Sequence, residues 1–167
     1  MSAMNLSMDE LCATVLRLLG RTPDDPDLQR FLSAVGCWPI PAFAEERFTY
    51  SFEDQQRGFA LTFQDAATLP AENKIPGVPA RTPVFIGAVL YSEGKDDYHQ
   101  FAGKIPGGAT WADTPSALET KLGPPKHVVK NTKTGALMGY RWAMEGHIFA
   151  TAFRKNGTIS TMFLSLF

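Results

Sequence analysis

Near the C-terminus, GALMGYRWAM and HIFATAF are separated only by Glu145-Gly146, and HIFATAFRK and TISTMFLSLF only by Asn156-Gly157. Links this short cannot make a crossover, so successive stretches must run antiparallel, and Asn-Gly is a strong hairpin signal because both residues accept positive φ. The end of the chain is thereby held to a three-strand meander. The same period returns earlier. RFTYSFED alternates Phe48, Tyr50 and Phe52 with polar residues, and GFALTFQD does so with Phe59, Leu61 and Phe63, around the loop EDQQR. This predicts a second antiparallel hairpin with one wet face. VFIGAVLYS, nearly continuous in apolar residues, reads as a more buried strand, and the proline- and glycine-rich residues 66–83 as a long loop.

The helical period appears in three places. Ser7 with Glu10 forms a capping box ahead of Met8, Leu11, Cys12, Val15, Leu16 and Leu19, with Gly20 as the stop. Asp25 before Pro26 opens a second helix that carries Leu28, Phe31, Leu32 and Val35 inward and ends at Gly36. Asp113 or Thr114 caps a third, with Pro115 at its first turn, Leu118 and Leu122 inward, and Gly123-Pro124-Pro125 forbidding continuation.

Set side by side, the halves follow one plan: a helix, Leu-Gly, a proline, a hairpin, one further strand. We expect an α+β fold of antiparallel strands with helices packed on one face. Two related helix–hairpin–strand units, residues 1–91 and 98–167, would pack as a single domain over residues 1–167, because either alone leaves an apolar sheet face bare.

At 167 residues, 44% apolar and 20% charged, the chain has the composition of a soluble globular protein. Charge is divided unevenly. Residues 1–73 hold 11 Asp/Glu and 5 Lys/Arg, residues 74–167 hold 6 and 11, so the halves carry −6 and +5. The acidic half would repel nucleic acid and the basic half shows no dense Lys/Arg run, while the polarity suits a basic protein partner. Asp9-Glu10 precede the first apolar stretch and no basic residue precedes Arg17, the wrong charge order for a secretory signal. A cytoplasmic location is expected, in which Cys12 and Cys37 stay unpaired, Cys12 as a small buried hydrophobe.

The segment KIPGGATW raises the question of phosphate binding. A phosphate loop needs Lys and Ser/Thr after its last glycine, and here Lys104 comes first while Gly107-Gly108 leads to Ala109-Thr110-Trp111. We read the loop as a structural lead-in to the third helix, with Trp111 packed over the helix start and its indole N–H needing one partner. His99, His127 and His147 lack the pairing of a zinc site, and no G-x-S-x-G elbow supports a nucleophile. No catalytic residue, metal or cofactor is expected. The chain lacks the signature of an RNA-binding sheet, and no apolar run spans a bilayer, so neither nucleic acid nor membrane is an expected partner.

The order LLGRTPDDPDLQRFLSAVG, YSFEDQQRGFALTFQD and FAGKIPGGATWADTPSALETKLGPP, followed by a strand pair, resembles the small immunity proteins encoded beside bacterial polymorphic and secretion-delivered toxins. The carrying phrases are Gly103-Lys104-Ile105-Pro106-Gly107-Gly108 and Leu122-Gly123-Pro124-Pro125. The second half is also similar to the helix-plus-sheet unit of β-lactamase inhibitor proteins and of the small outer-membrane assembly lipoprotein. The resemblance implies a cytoplasmic antidote that binds a cognate toxin or effector one to one and blocks its active site.

For such a binder the candidate contacts are Asp24, Asp25, Asp27, Glu45, Glu46, Glu53 and Asp54, with Trp38 and Trp111 as exposed aromatic anchors. Two alternatives stand beside it. One is an adaptor or homodimeric scaffold joined along free strand edges. The other is a small hydrolase with a cleft between the two units, for which His127 or His147 would have to meet a buried carboxylate.

Overall fold

The computed structural model describes residues 6–167; the part of the N-terminal reading that rests on Met1–Asn5 lies outside them. Helix α1 (Met8–Leu18) starts where the Ser7 N–H and hydroxyl donate to the Glu10 carboxylate at 3.2 and 3.1 Å. It buries Leu11, Cys12, Val15 and Leu18, so the inward stripe takes in Leu18, and Leu16 and Leu19 pack only at its margin. Helix α2 (Pro26–Val35) is capped by Asp25, whose carboxylate accepts from the N–H groups of Asp27 and Leu28, and Gly36 closes it at φ +86°. Helix α3 (Pro115–Leu122) takes Thr114 as its cap through the Ala117 N–H; Asp113 accepts instead from the Thr110 N–H.

Seven strands follow the two periodic regions: β1 (Thr49–Asp54), β2 (Phe59–Asp65), β3 (Pro83–Tyr91), β4 (His127–Lys130), β5 (Leu137–Met144), β6 (His147–Phe153) and β7 (Ile159–Ser165). They form one sheet in the order β1-β2-β3-β7-β6-β5-β4, every pair antiparallel. The first half contributes a three-strand meander and the second a four-strand one, β4 to β7. The two join through their last strands, with Ala88 opposite Leu164 and Leu90 opposite Met162. Gly87 sits at that seam. A Cβ there would lie 2.1 Å from the Leu164 carbonyl oxygen, so the close approach of β3 and β7 requires glycine.

The chain is thus an α+β protein with its helices on one face of an antiparallel sheet. Phe59, Leu61 and Phe63 of β2, Phe85 and Leu90 of β3, Met162 and Leu164 of β7, and Tyr140 and Trp142 of β5 share one buried cluster with all three helices. Burying side chains of this size contributes about 1.5–3 kcal/mol each. Helix α1 packs across both β3 and β7, so it covers the seam rather than the first meander alone. Strand β4 was not expected: HVVK shows no alternation and is exposed along its length. The 66–83 loop is partly ordered as two 3-10 turns, Ala66–Thr68 and Ala71–Asn73. It closes a smaller cluster of Ala66, Leu69 and Val84 with Ile75, Val78 and Ile86. Among the described residues no helix is long and apolar enough to cross a membrane.

Candidate functional site

Helices cover one face of the sheet, and strand register assigns what the other face presents. One cross-strand row runs through all seven strands: Glu53, Ala60, Val89, Phe163, Ala150, Arg141 and His127. At about 4.8 Å between strands the row is roughly 29 Å long. It has a carboxylate at one end, the Arg141 guanidinium and the His127 imidazole at the other, and small or apolar side chains between. The next row carries Ser51, Thr62, Gly87 and Ser165. Around these lies a shallow trough of about 330 Å³, floored by Thr62, Ile86, Val89, Phe163 and Ser165. Tyr98, from the loop after β3, stacks on Tyr91 with ring centroids 3.7 Å apart and bounds the open face near the Glu53 end.

Most of the candidate acids are engaged locally. Asp25 is the α2 cap and also accepts from Arg21 at 2.9 Å; above all the Leu28 N–H holds its carboxyl below the ordinary range. Asp27 pairs with Arg30 and lies 3.6 Å from Arg17, and Asp54 binds Arg57 at 2.6 Å. Asp24 accepts from the Thr22 hydroxyl and lines a groove with Arg81. Arg81 donates to the carbonyls of Ala44 and Arg47 at 2.8 Å, which ties the exposed Glu45–Glu46 turn to the 77–83 loop. These positions do not converge. Glu53 alone among them stands on the open face.

The two tryptophans part company. Trp38 is exposed beside the proline-rich segment 39–42. Trp111 is not an exposed anchor: it is half-buried against the main core, and its indole N–H donates to the Phe101 carbonyl at 2.9 Å. The Gly107–Gly108 loop forms one 3-10 turn, and Lys121 of α3 reaches back to the Gly108 carbonyl and to both oxygens of Asp113 at 2.8–2.9 Å. A Cβ on Gly107 would lie 2.2 Å from Leu122 Cδ2. Lys121 is thereby spent on bracing the loop itself.

His99 is exposed, 3.4 Å from Glu93, His147 lies against the Glu145 carbonyl, and His127 is exposed on β4, so neither His127 nor His147 meets a buried carboxylate. Among the described residues no three His, Cys, Asp or Glu gather as metal ligands. Cys12 and Cys37 are free and buried, and burial pushes their thiols up to about 12 and about 11, so both stay protonated.

No family model and no curated protein matches the chain. Among solved structures it is similar to a DUF4309 family protein (YjgB) from Bacillus subtilis subsp. subtilis str. 168, at 11% identity and a TM-score of 0.46, over 98% of this chain and 97% of that one.

Proposed function

We propose that this chain is a protein-binding module that works through the open face of its sheet and neutralises a bacterial toxin or effector by one-to-one occlusion in the cytoplasm. The observation that carries the binding part is the row from Glu53 to His127. It is small or apolar in its middle, with Glu53 towards one end and Arg141 towards the other, and no helix packs on it. Tyr98 closes over the Glu53 end, where Ala60 is buried, and the 66–83 loop covers Val84 and Ile86 on the same face. Across strands of four to nine residues, the face measures roughly 29 by 20 Å, about 600 Å², somewhat below the ~800 Å² that one partner contributes to a standard protein–protein contact. Small floor residues let a partner's backbone approach closely, and Phe163 and Val89 supply the desolvated centre where binding energy concentrates. The toxin part of the reading is supported by the glycine–proline phrases at residues 103–108 and 122–125.

The test is co-expression with the product of the adjacent open reading frame in a sensitive host, scored by growth and by co-purification. Rescue through a stable one-to-one complex, lost in Phe163→Glu, is the expected outcome. Absence of toxicity to rescue, or rescue with no complex, overturns direct inhibition.

A further inference from the structure

Strand β4 ends the sheet, so one side of its backbone is bonded to β5 and the other has no strand partner among the described residues. Its side chains depart from what an edge beside water needs: Val128, Val129 and the neighbouring Met138 are 49%, 44% and 48% exposed. Around them the structure collects charge that looked scattered along the chain. Lys126, Lys130, Lys133 and Arg141 are all exposed, and no Asp or Glu occurs between Glu119 and Glu145. Among the described residues none of these four cations has a carboxylate within ion-pair distance, whereas most arginines of the acidic half do.

From this we infer that the β4 edge is a second docking surface, which takes an extended acidic segment of a partner protein as an added antiparallel or parallel strand. The inference rests on the strand's outer edge and not on the open face, although Arg141 borders both. Strand addition draws its affinity from main-chain hydrogen bonds and its selectivity from alternate side chains. Here those side chains would meet aliphatic methyls on both faces and ammonium groups along the rim. Edge lysines also repel like edges, which disfavours pairing with a second β4 but favours a strand that carries carboxylates. Nucleic acid fits less well. Tyr140 and Trp142, the tyrosine and tryptophan nearest this edge, are buried in the core, so no such ring is presented for base stacking.

The experiment measures fluorescence anisotropy of a labelled nine-residue peptide alternating Glu with Val, titrated with the whole chain at low ionic strength. The same peptide with Lys for Glu and a twelve-nucleotide thymidine oligonucleotide serve as the other arms. We expect the acidic peptide to bind, the basic one not to, and amide exchange in β4 to slow in the complex. The doubly reversed variant Lys126→Glu/Lys130→Glu, whose changes lie on solvent-exposed side chains, should weaken binding at least tenfold at an unchanged melting temperature. Failure of the acidic peptide to bind, equal binding of the basic peptide, tighter binding of the oligonucleotide, or binding without slowed exchange in β4 would each overturn the proposal.

Discussion

Asp25 gives its carboxylate to the N–H groups of Asp27 and Leu28 and to Arg21, and Asp54 is engaged by Arg57. These i, i+3 and i, i+4 partners stand in the sequence, so the local reading of the acids was available there; only the isolation of Glu53 on the open face required strand register. Gly107 carries the same lesson in backbone form. At φ +72°, with Leu122 where a Cβ would go, Gly107→Ala should cost about 2 kcal/mol in urea unfolding. Tyr140 offers a titration. Its hydroxyl donates to Glu119 at 2.5 Å, and this bond to a carboxylate, with burial, pushes its pKa up to about 12. Because the folded state holds the proton more tightly, this stabilisation is complete below pH 10 and is lost as pH rises toward 12. Tyr140→Phe should lower stability at neutral pH by about 1 kcal/mol and flatten the alkaline limb of a stability–pH curve.

The helices and hairpins were legible because each is written locally, as a cap, a stop and a period. Strand β4 was not, because four residues exposed on both faces leave no alternation to read. Nor was the ordering of the 66–83 loop, whose turns depend on burying Leu69 against Val84, residues fifteen apart in the chain. Arg81 links that loop to segment 43–48: it bonds three carbonyls there and lies over the rings of Phe43 and Phe48 at 5.5 and 5.7 Å. Arg81→Ala should therefore loosen one segment and leave the sheet intact. Limited trypsin digestion should cut after Arg47 severalfold faster, with little change in melting temperature.

At the scale of the molecule, the meanders were visible in the sequence and their joining was not. Pairing of β3 with β7 rests on residues such as Gly87 and Ser165, which no local pattern connects. Because the main core runs unbroken across that seam, the chain should unfold in a single step, with tryptophan fluorescence and far-UV circular dichroism coincident. Gly87→Val, which drives a side chain into the Leu164 backbone, should cost more than 3 kcal/mol and lower that one midpoint without dividing it.

The seam also sets a schedule for synthesis on the ribosome. Strands β1, β2 and β3 can pair as they emerge, but the far side of β3 has no neighbour until residues 159–165 have been made. Through that interval the nascent chain carries a bare apolar strand, Val84 to Tyr91, and a helix α1 with half its floor missing. Translation that stalls before β7 leaves two unfinished sheets, each with an open central edge, and such a fragment should be a substrate for chaperones and proteases rather than a partly active protein.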